Sequence, residues 1–251
     1  MKIGGARCWA HRNDGKAMSK SDRPVKRRNE GKLFVSLQQR FRRARFAKIE
    51  SMIENELEDG QTLRILDVGG RAEYWNMLAS HLRERVHVTL LNYGGELDVY
   101  SKSVEEGLNF ENAAGDACDM PQYGDQSFDL VHSNSVIEHV GSYANMLNFA
   151  RELRRVGKAY YVQTPNFWFP IDPHTAIPML HWLPDSTRMF AHTHFTLGLA
   201  KKGNADGALK RMDECRMVSR RMMRAFFPDA EHSNERFGLI FAKSLIAIRE
   251  R

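Results

Sequence analysis

The chain has 251 residues, 42% of them hydrophobic, so it is long enough to bury one sizeable core. Its net charge of +6 lies at the front: residues 1–46 carry 14 Lys and Arg against 3 Asp and Glu, and residues 47–251 carry 23 against 28. No apolar run approaches the roughly 20 residues of a membrane span, and the N-terminus has no apolar secretory segment. We therefore expect no membrane span and a cytoplasmic location.

Residues 1–31 differ in composition from the rest of the chain. They are polar, contain Gly and Pro, and have too few apolar side chains to offset the entropy of ordering, which predicts a disordered basic tail before one domain at 32–251. The tail carries a basic cluster, formed by Arg23, Lys26, Arg27 and Arg28. Such a cluster can attract nucleic acid or anionic lipid, but a run this short is more often a solvated tail.

The first part of the domain reads as a helix followed by alternating strands and helices. Apolar residues recur at helical spacing over 33–58, which predicts an amphipathic helix that ends before Gly60. Four near-continuous apolar runs separated by helical patterns then predict a parallel sheet covered on both faces. The runs are RILDVG (64–69), VHVTLLN (86–92), SFDLVHSN (127–134) and AYYVQTP (159–165).

The pattern over 135–156 predicts a helix that is broken or restarted at Gly141. Residues 166–200 are aromatic-rich and interrupted by four prolines, and we interpret them as a cap over the site. A further helix is expected over 206–227, stopped by Pro228. The closing runs RFGLIFA and KSLIAIR predict two strands, or one strand and a tight loop.

The stretch RILDVGGRAEYW places an acid and two glycines at the end of a buried strand. In a doubly wound sheet ligands bind at the carboxyl ends of the strands, where Asp67, Gly69 and Gly70 would lie. A dinucleotide-binding loop needs G-x-G-x-x-G, and the sequence from Gly69 is G-G-R-A-E-Y. The acid suits a ligand that presents an amino acid and a sulfonium better than one that presents a pyrophosphate.

Further segments follow in a recognisable order: LDVGG, then GDACDMP, then SFDLVHSNSVIEHV. With these segments the chain resembles a class I S-adenosylmethionine-dependent methyltransferase, and it is similar to the broad group typed by ubiquinone and menaquinone biosynthesis enzymes. The resemblance is clear over roughly residues 60–165. It implies an α/β fold with a Rossmann-like, doubly wound, seven-stranded sheet, mostly parallel with an antiparallel C-terminal strand. It also implies S-adenosyl-L-methionine as cofactor and a small metabolite, sugar or lipid-linked acceptor methylated on O, N or C.

The resemblance also assigns roles to matching positions. Asp67, Gly69 and Gly70 of the loop would line the methionine moiety, and the amide of Asn92 would hold the ribose. Asp116 and the backbone of Ala117 would bind adenine, and Ser133 and Asn134 would close the site beside the methyl. His139, next to Glu138, is the candidate catalytic base.

The sequence departs from the family pattern at three positions. Arg71 and Glu73 stand where the family has its later loop glycines, and Asn92 stands where it has a ribose-binding acid. These departures leave open a non-catalytic binding module with the same fold. The basic tail leaves open a nucleic-acid methyltransferase, although no NPPY-type tetrapeptide is present and we expect no nucleic-acid partner. The sequence does not mark an oligomeric state.

The histidines of the aromatic segment do not follow a metal-binding pattern. The spacings match no compact ligand set, which predicts no metal. The residues considered are Asp172, His174, His181, His192 and His194. We interpret His174, together with Asn166, as a possible contact to the methyl acceptor.

Overall fold

The computed structural model describes residues 32–57, 60–94, 107–198, 202–237 and 241–251. The predicted basic tail lies outside the described residues, as do the last two residues of the predicted cap. Among the helices of the described part, none is long and apolar enough to cross a bilayer.

The core of the molecule is a seven-stranded sheet. Its strands are β1 (Leu63–Val68), β2 (Val86–Asn92), β3 (Asn109–Ala114), β4 (Phe128–Asn134), β5 (Gly157–Pro165), β6 (Glu231–Phe237) and β7 (Phe241–Arg249). The spatial order is β3-β2-β1-β4-β5-β7-β6. The first five strands in this order are parallel, β7 is antiparallel to β5, and β6 is antiparallel to β7. The predicted fold class is confirmed, and the run KSLIAIR lies in β7 as a predicted strand. The strand predicted over RFGLIFA is wrong: its first two residues end β6 and its last two begin β7, and β6 itself is a polar strand that begins at Glu231.

Strand β3 has no counterpart among the predicted strands, and its composition explains why. Its sequence, NFENAA, alternates only weakly, and its side chains are exposed or half-buried because it lies at the edge of the sheet. The strand is held by backbone hydrogen bonds to β2 and not by the burial of apolar side chains. By contrast, β1, β2, β4 and β5 are largely buried on both faces, which is why their apolar runs are visible in the sequence.

Helices cover both faces of the sheet. They are α1 (Lys32–Glu56), α2 (Ala72–Trp75), α3 (Ser80–Arg83), α4 (Tyr143–Val156), α5 (Asp185–His194), α6 (Ala205–Asp213) and α7 (Arg220–Phe226). Side chains of α1, α2 and α3 form one apolar core on one face, and those of α4 and α7 form a second core on the other. The helix predicted over 33–58 corresponds to α1.

The segment after β4 contains two helical pieces, as predicted. A 3-10 turn at Ile137–His139 is followed by Gly141 at φ 88°, a left-handed conformation that suits glycine. Helix α4 then begins after Ser142, whose side chain accepts a hydrogen bond from the backbone N–H of Asn145. The break places His139 on a turn at the carboxyl edge of the sheet.

The single helix predicted over 206–227 is wrong, because this segment forms α6 and α7 with an extended connection between them. Ser219 caps α7 by accepting from the backbone N–H of Met222. The carbonyl oxygen of Glu214 lies 2.8 Å from Nδ1 of His139, so the connection is fixed by a contact to a distant segment. Helical periodicity alone cannot reveal such a tertiary contact.

Candidate functional site

The predicted cofactor residues meet at one edge of the sheet. Asp67 lies near the end of β1, and Asn92 and Asn134 end β2 and β4. The strand register puts these ends side by side, since Val68 pairs with both Leu91 and Ser133. The structure therefore brings together side chains that are up to 67 positions apart in the sequence, with Asp116 following β3 at the same edge.

The buried carboxylate of Asp67 lies directly against the glycine loop, at Gly70. It is 1% exposed, its Oδ2 accepts from Nε1 of Trp75 at 2.8 Å, and its Oδ1 lies 2.6 Å from Nδ1 of His132. The His132 ring is itself stacked between the rings of Tyr74 and Tyr161. Because both carboxylate oxygens have protein partners, Asp67 acts on the loop geometry more directly than on a ligand. Sequence reasoning missed this role of His132 and Trp75.

The two glycines fit closely against this support. Gly69 has φ 70°, and a Cβ there would lie 2.6 Å from Cγ2 of Val136. A Cβ on Gly70 would overlap the Asp67 carboxylate. The loop therefore requires glycine at both positions, and it presents bare backbone at the strand end.

A cavity of about 200 Å³ opens between this loop and α1. Its walls include loop residues, the end of β4 and two arginines of α1: Gly69, Gly70, Arg71, Asn134, Arg42 and Arg45. Arg71, at a position where the family has glycine, forms part of the wall and leaves this space open. Nη1 of Arg45 donates to Oδ1 of Asn134 at 3.2 Å, which joins α1 to the strand end.

The amide of Asn92 and the carboxylate of Asp116 also form hydrogen bonds with backbone groups. Nδ2 of Asn92 donates to the carbonyl oxygen of Gly70 at 3.1 Å, a bond that an aspartate in this position could not make. Oδ1 of Asp116 accepts from the backbone N–H of Cys118 at 2.8 Å. The departure at Asn92 thus has a structural reason, because the amide ties the ends of β1 and β2 together.

These residues fit a ligand with an amino-acid end and a nucleoside end. The backbone of Gly69 and Gly70 lines the cavity of about 200 Å³, which we call the cradle, and the buried hydroxyl of Ser133 has no hydrogen-bond partner among the described residues. Three arginines, Arg42, Arg45 and Arg71, line the cradle, which favours a carboxylate there. Asn92 and Asp116 lie along the same edge, where ribose and adenine would follow.

A pair of histidines lies beyond the end of β4. Nε2 of His139 is 3.1 Å from Nε2 of His174, and Nδ1 of His174 is 2.9 Å from Oδ1 of Asp172. Burial acts to lower the pKa of His174, but the hydrogen bond and charge of Asp172, with the charge of Glu138, raise it overall. The pair is therefore suited to holding a proton.

The side chain of Glu138 is hydrogen-bonded to Thr164 and not to the histidine pair in the described hydrogen bonds. Its side chain is fully buried, Oε2 accepts from Oγ1 of Thr164 at 2.9 Å, and Oε1 has no hydrogen-bond partner among the described residues. Burial raises the pKa of its carboxyl group, against the opposing charges of His139 and His174. The backbone carbonyl of Glu138 accepts from the N–H of Arg216, which anchors the connection between α6 and α7.

Cys215 brings a third potential metal ligand to this place. One ligating atom from each of His139, His174 and Cys215 lies within 4.8 Å of the others. However, Sγ of Cys215 lies 3.1 Å from Nδ1 of His174, whereas His139 faces Nε2 of the same ring. The two neighbours thus contact opposite nitrogens of the His174 ring.

A larger cavity of about 470 Å³ adjoins the histidine pair. Its walls come from α1, the end of β5, the aromatic segment and the closing strands, and include Phe41, Arg45, Gln163, Phe169, His174 and Lys243. Asn166, considered as an acceptor contact, instead holds the start of the aromatic segment: its Nδ2 donates to the carbonyl of Ala242 and its Oδ1 accepts from the N–H of Trp168. Sequence reasoning missed the lining by Lys243 and Arg45.

Comparison with known proteins agrees with this architecture. Residues 66–159 match a family model described as a methyltransferase domain. No curated protein matches the chain.

Several solved structures are similar to this chain at low sequence identity. A possible exported protein from Bordetella parapertussis is 12% identical, with 96% of this chain and 77% of that chain covered and a TM-score of 0.52. An S-adenosylmethionine-dependent methyltransferase from Methanosarcina mazei is 14% identical, with 78% and 94% covered and a TM-score of 0.48. One from Aquifex aeolicus is 16% identical, with 79% and 87% covered and a TM-score of 0.43.

Proposed function

Because residues 66–159 match a methyltransferase domain, we propose that the chain uses S-adenosylmethionine to methylate a small-molecule acceptor bound in the larger cavity, with His139, which faces the cavity-lining His174, as the catalytic residue. The proposal rests on the observation that the two cavities are adjacent and share a lining residue. Arg45 lines both the cradle at the glycine loop and the larger cavity, and Ser135 of that cavity directly follows Asn134 of the cradle. A donor in the cradle and an acceptor in the cavity would therefore be neighbours.

The cofactor would be held by the residues at the strand ends. Gly69 and Gly70 offer backbone to the methionine moiety, and Arg42 and Arg45 suit its carboxylate. The remaining contacts follow the strand ends, with Asn92 at the ribose, Asp116 and Ala117 at the adenine, and Ser133 and Asn134 near the methyl. Asp67 contributes by fixing the loop through Trp75 and His132.

The acceptor would be enclosed by the aromatic segment that follows β5. Phe169, Ile171, Pro173 and His174 of this segment line the cavity, which supports its interpretation as a cap. A volume of about 470 Å³ is within the range of sites for small organic ligands. This size favours a metabolite, a sugar or the reacting end of a lipid-linked molecule over a folded macromolecule.

When bound, S-adenosylmethionine supplies a methyl carbon whose bond to sulfur breaks, with the electron pair remaining on sulfur, as the acceptor atom attacks. The chain's own task is to align the acceptor, exclude water and receive a proton. The proton of an acceptor hydroxyl or amine would pass to Nε2 of His139 or His174, whose Nδ1 atoms are held by Glu214 and Asp172.

Calorimetry with S-adenosylhomocysteine tests the cofactor site. The wild-type protein should bind this product, and Asp116→Asn should weaken the binding through loss of a charged acceptor at the adenine. Asp185→Asn is a matched control, because its carboxylate is exposed at the start of α5. Absence of heat with both the cofactor and its product would contradict the proposal.

An assay that works with an unidentified acceptor tests the chemistry. The protein is incubated with methyl-tritiated S-adenosylmethionine and a low-molecular-mass metabolite extract, and tritium is followed by chromatography. Label should enter a small molecule with wild-type protein and fall by about 10²–10⁴-fold with His139→Ala. Product binding without any labelled small molecule would favour the non-catalytic module, and label in nucleic acid alone would favour the other alternative.

A further inference from the structure

The larger cavity combines apolar walls with positively charged side chains. Most of its lining is apolar, including Phe41, Phe169, Ile171, Met217 and Phe237. Two cations, Arg45 and Lys243, also line it, and none of its described lining residues carries a carboxylate. A cavity of this composition favours a ligand with an apolar body and a negative group.

The carboxylate nearest to these cations cannot neutralise both. Glu235 is 8% exposed; its Oε1 lies 3.4 Å from Nε of Arg45, and its Oε2 lies 4.0 Å from Nζ of Lys243. Oε2 also accepts from the hydroxyl of Ser244 at 3.1 Å. Among the described residues, two cations therefore share one carboxylate, which gives this end of the cavity an excess of one positive charge.

The ion pair between Arg45 and Glu235 is also incomplete. Nε of Arg45 and Oε1 of Glu235 are both buried and, among the described residues, neither makes a hydrogen bond. A buried polar atom without a hydrogen bond is costly, so a ligand group that reaches one of these two atoms would be favoured.

Lys243 lies directly at the apolar wall. Its Nζ is 4.4 Å from the centre of the Phe41 ring, and its side chain is 30% exposed. Burial lowers the pKa of this lysine; Glu235 opposes the shift, and Arg45 adds to it. A negative group beside the ammonium would offset this loss of hydration and the repulsion from Arg45.

We infer that the methyl acceptor is a small amphipathic anion, whose carboxylate or phosphate lies beside Lys243 and Arg45 while its apolar body fills the aromatic part of the cavity. The nucleophilic atom then lies toward His174, on the wall that adjoins the histidine pair. This inference rests on the proposed function and specifies its substrate class.

Two fluorescent probes of similar shape test the charge requirement. Anilinonaphthalene sulfonate is an apolar aromatic anion, and N-phenylnaphthylamine is its neutral counterpart. Each is titrated into protein saturated with S-adenosylhomocysteine. We expect saturable binding of the anion that is weakened about tenfold by Lys243→Met, with little effect of this substitution on the neutral probe.

Two further variants act as controls. Lys243→Arg keeps the charge and should retain binding of the anionic probe, which separates loss of charge from damage to the fold. Lys158→Met removes a lysine that pairs with Asp129 near the opposite ends of the strands and should leave both probes unaffected. Displacement of the anionic probe by phenylacetate, phenyl phosphate or neutral phenylethanol then distinguishes carboxylate from phosphate.

The possible outcomes are distinct. Equal binding of both probes, an equal effect of Lys243→Met on both, or no saturable binding of the anion would overturn the substrate class. These results would leave the proposed methyl transfer intact as long as S-adenosylhomocysteine still binds. Failure of S-adenosylhomocysteine to bind would instead contradict the proposed function itself.

Discussion

His139 and His174 face each other through their Nε2 atoms at 3.1 Å, while the Nδ1 atom of each ring faces an acceptor. The carbonyl oxygen of Glu214 can only accept, so Nδ1 of His139 carries a hydrogen and donates to it. The Asp172 carboxylate assigns the same tautomer to His174. Two neutral rings would then point lone pairs at each other, and one additional proton between them removes this repulsion.

This arrangement predicts a pH-dependent contribution of His174 to stability. The raised pKa of His174 in the folded protein means that its charged form is stabilised by Asp172 and Glu138, despite the cost of burial. The contribution is complete below the unfolded pKa of about 6.5 and is lost as the pH rises through the folded pKa. The free energy of unfolding, measured in urea at several pH values, should therefore fall less steeply with rising pH in His174→Asn than in wild type.

The exposed His194 provides a control for this measurement. Its ring lies on α5 and bonds only to neighbours in the same helix in the described hydrogen bonds. His194→Asn should follow the wild-type pH profile. The substitution His174→Asn also removes contacts to Cys215 and His139, which can lower the free energy of unfolding at every pH. If the difference in this free energy between wild type and His174→Asn does not change with pH, the proton-sharing interpretation is contradicted.

The glycine loop predicts a specific loss of cofactor binding in Gly70→Ala. The new methyl group would overlap the Asp67 carboxylate, so the loop or the buried network with Trp75 and His132 must move. We expect the affinity for S-adenosylhomocysteine to fall at least tenfold by calorimetry, together with a loss of stability of about 1–3 kcal/mol. Gly124→Ala, where the Cβ would meet nothing within 4 Å, should change neither quantity.

Sequence patterns could predict the sheet but not all of its parts. Strands β1, β2, β4 and β5 are visible because burial on both faces requires near-continuous apolar runs. The edge strand β3 has no such requirement. The split between α6 and α7 is equally hidden, since a hydrogen bond from His139 to Glu214, 75 residues away, defines the connection.

The same limit applies to the site. Asp67, Gly69 and Gly70 could be located because strand, acid and glycines are adjacent in sequence. His174 is 35 positions from His139, and no spacing rule brings them together. Arg45 belongs to an arginine-rich helix whose charges are mostly solvated, so only the tertiary structure distinguishes it from Arg43.

The hydrogen bond between Trp75 and Asp67 predicts a further effect on stability. Its indole N–H donates to a carboxylate oxygen of Asp67 that is buried from water. Trp75→Phe keeps most of the apolar packing but leaves this oxygen without its donor, which should lower the free energy of unfolding by about 1–3 kcal/mol. Denaturant unfolding gives this value, and Trp168→Phe, at a residue that is 63% exposed, should stay within about 0.5 kcal/mol of wild type. Equal effects of the two substitutions would show that the bond to Asp67 contributes little.

Arg155 of α4 holds the loop that follows Asp116 by hydrogen bonds to its backbone. Its guanidinium donates to the carbonyl oxygens of Met120 and Tyr123 at 2.9 and 2.8 Å, and it forms a two-pronged pair with Glu152. A lysine cannot reproduce this planar fork, so Arg155→Lys should loosen the loop. We expect S-adenosylhomocysteine to bind several-fold more weakly, because the loop carries the backbone assigned to adenine.

The adjacent arginine offers a matched control for this last experiment. Arg154 pairs with Asp229, next to the closing strands, so Arg154→Lys should leave the affinity for S-adenosylhomocysteine unchanged in the same calorimetric titration. If both variants bind the product equally well, the loop at 116–123 does not depend on the fork, and its proposed contact to adenine loses its structural support. A selective effect of Arg155→Lys would instead show that α4 positions the cofactor site from a distance.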